Sequence, residues 1–140
     1  APRPAVYLWP VVAGQRVGFE VAVRAPRGRW LPWDVLPWGG NPYENAAALA
    51  DDWCGGVATD LRLVDLMSFT VAGGGWELAA IFRAELSALP LADDARDPFL
   101  YPPGQFDAIG NFDPVDLERW VAAASPGAQA TTPRSGGLLF

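Results

Sequence analysis

Residues Leu36 to Cys54 read LPWGGNPYENAAALADDWC and carry the strongest local structural signals of the sequence. Its first residues, Pro, Gly and Gly around a tryptophan, are typical of a tight turn. Asn41 is a favourable N-cap and Pro42 a favourable first helical residue. The alanines and leucine that follow favour a helix, and the two glycines after Cys54 end it. We therefore predict a glycine turn that leads directly into a helix.

The residues before this stretch predict two paired strands. Residues 5–12 are mostly apolar, and in residues 17–25 apolar side chains alternate with Glu20 and Arg24. The short segment 13–16 between them suits a turn, so we expect a hairpin. Residues 26–40, rich in Pro, Gly and Trp, are predicted to form a loop.

The residues after the helix predict three more strands and a second helix. Residues 61–71 and 76–86 are rich in strand-forming residues, residues 87–104 are predicted to be a long loop, and 106–112 a weaker strand. Asp113 and Pro114 begin the second helix. We expect one α+β domain over residues 1–124, a sandwich with a mixed β-sheet, and a loosely structured tail over 125–140.

Composition excludes several kinds of chemistry. The chain has 140 residues, no histidine and no lysine, so all ten of its basic residues are arginines. Ser-His-Asp and Cys-His catalysis, Schiff bases, P-loops and His-ligated zinc are therefore excluded. The net charge of −6 argues against a nucleic-acid polymer as partner, and no apolar run is long enough for a membrane helix. The single cysteine, Cys54, fits a reducing cytoplasm.

Several landmarks in this order resemble the Nudix hydrolase superfamily. A strand carrying arginines leads to Trp30, and Leu36-Pro37-Trp38-Gly39-Gly40 is similar to the family's Leu-Pro-Gly-Gly turn with one tryptophan inserted. Residues 111–117 (NFDPVDL) resemble the segment that opens the family's last helix. The resemblance implies an α/β/α sandwich with a short Nudix-type helix and a C-terminal helix.

The family hydrolyses nucleoside diphosphates linked to another group, and glutamates on its helix hold Mg2+ or Mn2+. Here that helix is short and degenerate. The family's signature motif, the Nudix box, ends in a glycine. Placing that glycine at Gly56 puts Trp53 and Cys54 where the family has a Glu-Glu pair. A shifted alignment makes Asp51 and Asp52 that pair, but it leaves alanines one turn earlier.

Helix geometry gives the same result without the family. Glu44 and Asp51 share a helix face but lie about 10 Å apart along the axis, and Asp52 points about 100° away from Asp51. The candidate metal ligands are Glu44, Asp51 and Asp52. Asp51 and Asp52 are candidate catalytic residues, together with a distant general base that the family resemblance implies, Asp107 or Asp97. The alternative is that these carboxylates are solvated surface charges, which we also expect of Glu77.

The turn region supplies the candidate ligand-binding residues: Arg24, Arg29, Trp30, Trp38, Gly39 and Gly40. Arginines in this position would bind phosphate, and Trp30, Trp33 and Trp38 would stack on a base. The alternatives are a solvated strand edge and tryptophans that close a core. Cys54, with no histidine to activate it, is expected to be a structural thiol.

Three functions follow as hypotheses. The first is a Nudix domain with weak or lost hydrolysis that still binds a small nucleotide-like ligand. The second is an active pyrophosphohydrolase with a non-standard Mg2+ site. The third is a non-catalytic module that binds a protein, including a second copy of the chain as a homodimer.

Overall fold

The computed structural model describes residues 2–22, 28–71, 73–102 and 108–124. Two helices, α1 (Pro42–Cys54) and α2 (Pro114–Ala124), accompany the strands, and a short 3-10 turn, Gly55–Val57, follows α1. The strands are β1 (Arg3–Val12), β2 (Gln15–Val21), β3 (Gly28–Trp30), β4 (Trp33–Val35), β5 (Ala58–Thr70), β6 (Trp76–Leu86) and β7 (Arg96–Leu100).

The sheet is mixed and is organised around β1. Strand β6 runs parallel to β1 over its whole length, from Arg3↔Glu77 to Val12↔Leu86, and β5 pairs antiparallel with β6. The other edge of β1 is shared by β4 and by β2, which forms the predicted hairpin. Strand β2 also pairs with β3 and β7. This mixed sheet with two helices confirms the predicted α+β class.

Strand β1 is buried on both faces, and its alternating side chains enter two different cores. Tyr7 and Trp9 pack in the core that contains Leu117 and Trp120 of α2. Val6 and Leu8 pack in the core that contains the inner face of α1. Because successive side chains of a strand point to opposite faces, the helices lie on opposite sides of the sheet.

Two predicted loops contain strands, and one predicted strand is wrong. Strands β3 and β4 lie inside the predicted loop 26–40, and β7 lies inside the predicted loop 87–104. They are short, and β7 carries Pro98, so their pairing with β1 and β2 rather than their local propensity produces them. Within the described part of 106–112, Ile109 and Phe112 form only an isolated bridge. Residues 23–25 of the second predicted strand and the predicted tail 125–140 lie outside the described residues.

Candidate functional site

The glycine turn before α1 is held by backbone hydrogen bonds at both ends. The Leu36 N–H donates to the Pro4 carbonyl at 2.9 Å, and the Gly40 N–H donates to the Pro37 carbonyl at 2.8 Å. Gly39 has φ 77, a conformation that favours glycine. A Cβ on Gly40 would lie 2.9 Å from the Pro37 oxygen. Both glycines are therefore required by the turn itself.

Helix α1 begins at the predicted cap and packs through small side chains. The Asn41 side chain accepts hydrogen bonds from the N–H groups of Tyr43 and Glu44. The buried residues of the helix are Ala46, Leu49, Ala50 and Cys54. Because this apolar face is against the sheet, the carboxylates of α1 are on the exposed side.

The three carboxylates predicted to hold a metal do not converge. Asp52 pairs with Arg96 of β7, with 3.2 Å between its Oδ2 and the guanidinium. Asp51 lines a cleft on the β5 side of the helix. Glu44 is exposed in the first turn. Within the described ranges, no group of three or more His, Cys, Asp or Glu side chains is placed to hold a metal ion.

The cleft beside Asp51 lies between α1 and β5 and has a volume of about 280 Å3. It is lined by Tyr43, Ala47, Ala50, Asp51, Ala58, Thr59, Asp60 and Leu61. Asp60 was not among the sequence candidates, because it lies on β5 rather than on the predicted helix. With two carboxylates and no basic side chain among these lining residues, the cleft disfavours a bare phosphate.

The divalent metal implied by the family resemblance does not fit the described residues of α1. Mg2+ requires near-octahedral oxygen ligands at short range. Here Asp52 faces Arg96, Asp51 faces the cleft, and the exposed residue between Glu44 and Asp51 on their shared face is Ala48. Two of the three predicted ligands thus point to different neighbours. Asp107, the predicted distant base, lies outside the described residues.

The predicted arginine and tryptophan residues are partly brought together. The rings of Trp30 and Trp33 have centroids 6.5 Å apart. Arg29 donates to Glu20 Oε1 at 2.8 Å, and its guanidinium lies 4.6 Å from the centroid of the Phe99 ring. Trp38, in contrast, is fully exposed at the tip of the glycine turn. Arg24 lies outside the described residues, and Asp97 is exposed on β7.

Glu77 is buried, so the prediction that it is a solvated carboxylate is wrong. Its side chain has no exposed area, and it accepts hydrogen bonds from Arg3 and from the Tyr7 hydroxyl. The hydrogen bond to Glu77 raises the pKa of Arg3, and burial, followed by the bond to Glu77, raises the pKa of Tyr7. The alternation of side chains along the strand predicts which face Glu77 lies on. It does not predict that Arg3 of the neighbouring strand lies beside it and permits its burial.

Cys54 is buried at the end of α1, where burial raises the pKa of its thiol to about 12. Nucleophilic cysteines need a lowered pKa. This thiol therefore packs as a small apolar group.

Comparison with solved structures gives consistent neighbours. The NUDIX domain of Shewanella oneidensis NrtR, complexed with ADP ribose, matches with a TM-score of 0.65 at 12% identity over 86% of each chain. A MutT NUDIX hydrolase from Burkholderia pseudomallei matches with a TM-score of 0.65 at 16% identity, over 85% of this chain and 98% of that one. A UDP-X diphosphatase matches with a TM-score of 0.63 at 14% identity, over 88% of this chain and 63% of that one.

No protein-family model matches this sequence, and no curated protein matches it. Among the described residues there is no helix of the length and apolar character needed to cross a membrane. At these identities the likeness is one of fold.

Proposed function

We propose that this chain, which has the Nudix fold, binds a nucleotide-like ligand and hydrolyses diphosphate linkages weakly or not at all. The observation that carries the proposal is the divergence of the α1 carboxylates. Asp52 is paired with Arg96 and Asp51 lines a separate cleft. A metal that neutralises a diphosphate and activates water needs several converging oxygen ligands, and α1 does not supply them.

The ligand class is supported by what the structural neighbours bind or act on. One neighbour is in complex with ADP ribose, another is an ADP compounds hydrolase, and a third is a UDP-X diphosphatase. All three names concern a nucleoside diphosphate or a derivative of one. We therefore propose the same chemical class as the ligand of this chain.

Charge favours the arginine and tryptophan side of the glycine turn as the binding surface. The α1–β5 cleft carries Asp51 and Asp60, which repel phosphate. Arg29, which is paired with Glu20 and about half exposed, and Trp30 carry a guanidinium and an aromatic ring on this side, while Trp38 is fully exposed before α1. Gly39 and Gly40 shape the turn that presents Trp38, and Arg24 is proposed as a further phosphate contact.

Isothermal titration calorimetry with ADP-ribose, with and without Mg2+, tests the ligand class. We expect binding in both conditions, because no metal site is needed for it. Trp38→Ala should weaken binding on the order of tenfold, the size expected for loss of one stacking contact. Trp76→Ala is the matched control, because Trp76 is a partly exposed tryptophan that lies on β6 and not in the glycine turn. Absence of binding by any nucleoside diphosphate compound would contradict the proposed ligand.

Turnover is followed separately by phosphorus NMR with the same compounds and Mg2+. We expect little or no product over hours. Robust turnover that Asp51→Ala and Asp52→Ala leave unchanged would overturn this account of the site. In that case the reacting groups lie elsewhere in the fold.

A second candidate is an active hydrolase with a non-standard metal site, and one observation favours it. Asp51 and Asp60 line the same cleft, and this candidate takes Asp107 as its third carboxylate. This candidate predicts Mg2+- or Mn2+-dependent product release that Asp51→Ala and Asp60→Ala abolish. Absence of product with nucleoside triphosphates, ADP-ribose, dinucleoside polyphosphates and NADH would count against this candidate. A homodimer and a cytoplasmic location stay predictions.

A further inference from the structure

The buried carboxylate of Glu77 is paired with an arginine that reaches solvent. The two residues are direct partners in the parallel register of β1 and β6. Arg3 donates to Glu77 Oε2 through Nε at 3.1 Å and through a second guanidinium nitrogen. The Arg3 side chain is 48% exposed, whereas that of Glu77 is 0% exposed. The cation of this pair is therefore accessible and the anion is not.

The second oxygen of Glu77 connects the pair to the turn before α2. Its Oε1 accepts a hydrogen bond from the Tyr7 hydroxyl at 2.7 Å, and that hydroxyl accepts one from Asn111 Nδ2 at 3.4 Å. The Tyr7 and Phe112 rings also meet edge to face, with 4.8 Å between their centroids. One carboxylate thus links β1, β6 and residues 109–112.

The same turn supports the arginine and tryptophan of β3. The Gly110 N–H donates to the Arg29 carbonyl at 3.0 Å. A Cβ on Gly110 would lie 2.8 Å from the Trp30 ring, so the backbone of this turn approaches the ring closely. Movement of residues 109–112 would therefore disturb the backbone hydrogen bond to Arg29 and the packing of Trp30.

Arg3 is the cation paired with the buried carboxylate of Glu77. On β1 the charged or titratable groups that contact Glu77 are Arg3 and Tyr7. Strand β5 places the apolar Phe69 opposite it, and the turn contributes the neutral Asn111 through Tyr7. A buried carboxylate that loses its cation is strongly destabilising unless it takes up a proton.

We propose that Arg3 and Glu77 form a latch that couples the first residues of β1 to the turn 109–112 and, through it, to Arg29 and Trp30. With the latch closed, Tyr7 and Asn111 are held by a charged acceptor. When Arg3 is withdrawn, the start of β1 and the turn loosen together. That this coupling reaches a ligand surface rests on the proposed function, but the latch itself does not.

Hydrogen–deuterium exchange of the ligand-free full chain tests the coupling. In Arg3→Met, we expect the amides of residues 28–30 and 109–112 to exchange on the order of tenfold faster, while those of α1 keep their rates. Arg62→Met is the matched control: this arginine is similarly exposed, 3.8 Å from Asp60, and should change neither segment. Faster exchange confined to β1, or no change at the turn, would overturn the proposal.

Thermal unfolding gives an independent readout. Without Arg3, the fully buried carboxylate of Glu77 has lost its cation, which is strongly destabilising. Arg3→Met should therefore lower Tm clearly, whereas the control Arg62→Met should leave it nearly unchanged.

Adding Glu77→Gln to Arg3→Met removes the unpaired buried charge, so the double variant should recover most of the lost Tm. A double variant that is no more stable than Arg3→Met, or an Arg3→Met that keeps the Tm of the natural chain, would count against the latch. If Arg3→Met does not fold, rescue of folding by the added Glu77→Gln supports the latch. A double variant that still fails to fold contradicts it.

Discussion

The two faces of the sheet treat carboxylates in opposite ways. On the face covered by α2, Glu77 is fully buried beside Arg3, and the side chain of Asp65 is only 18% exposed, paired with Arg119. On the face covered by α1, the contact is built from Ala46, Leu49, Ala50 and Cys54, and the carboxylates of the helix remain outside the core.

The difference shows which carboxylates stabilise the fold. A buried carboxylate persists only with charged and hydrogen-bonding partners, and each of those on the α2 face has them. The carboxylates of α1 contact solvent, the partly buried Arg96 and an open cleft. The α2 face is therefore rich in fixed polar contacts, whereas the carboxylates of α1 do not converge.

The largest effect should come from the core under α2. Trp120 is fully buried and packs against Phe112 at 4.9 Å between centroids. Trp120→Ala should lower the free energy of unfolding by about 3–5 kcal/mol, the usual cost of removing a buried aromatic ring. Urea denaturation measures this. Val121→Ala, at an exposed neighbouring position, should cost less than about 0.5 kcal/mol.

A smaller loss is expected when the polar contacts of the α2 face are broken. Asp65 Oδ2 accepts from Trp120 Nε1 at 2.9 Å and from Arg119 at 2.8 Å. Asp65→Ala leaves the indole N–H without its acceptor and should cost about 1–3 kcal/mol. Arg119→Ala removes a half-exposed partner and should cost about 1 kcal/mol or less. Equal losses for both variants would contradict the structural role given to Asp65.

On the α1 face, Cys54 provides a test by pH. The pKa of its thiol is raised to about 12 in the folded protein, compared with about 8.5 when unfolded. The buried thiol thus contributes stability that is complete below about pH 8.5 and is lost as pH rises. Between pH 8.5 and 9.5 we expect the free energy of unfolding to fall by about 1 kcal/mol. Chemical denaturation at each pH measures this loss. Cys54→Ala should reduce this slope, and an unchanged slope would refute the assignment.

The cap of α1 should account for about 1 kcal/mol. Asn41→Ala removes the acceptor for the N–H groups of Tyr43 and Glu44 and should cost about 1 kcal/mol. Asn41→Asp preserves the acceptor and should retain most of the stability. Thermal unfolding distinguishes the two, and similar losses in both would show that the cap is not the cause.

The smallest effects are expected at the carboxylates of α1. The Asp52 side chain is 63% exposed, so Asp52→Ala should cost less than about 1 kcal/mol, and less still in high salt. Asp51→Ala should change stability by less than about 0.5 kcal/mol. A loss above about 2 kcal/mol for either, by urea denaturation, would show that α1 carries buried charge after all.

Local signals accounted for the helices, and long-range pairing accounted for what they missed. Asn41-Pro42 and Asp113-Pro114 mark both helix starts because capping depends on neighbouring residues. Strand β7 was missed because Asp97 and Pro98 disfavour a strand, and only the pairing with β2 compensates. The bridge between Ile109 and Phe112 likewise depends on a turn rather than on a strand pattern.

The sequence identified the residues of the candidate site better than it predicted what their side chains contact. Helical spacing already separated Asp51 from Asp52, and in the structure they face a cleft and Arg96 respectively. Asp60 was missed because it lies on β5 and shares a cleft with Asp51 only in the folded chain. Trp30 and Trp33 are neighbours while Trp38 is exposed, which their closeness in sequence does not distinguish.

Local sequence patterns were enough to predict the α+β class, the hairpin, both helix starts and the shortage of carboxylates on α1. These depend on side-chain periodicity, capping and spacing, which act over a few residues. Only the tertiary structure decided that Glu77 is buried beside Arg3, that Asp52 faces Arg96 and that Asp51 shares a cleft with Asp60. Those outcomes depend on which distant strand supplies the partner, because the burial of a charge is decided by what lies across from it.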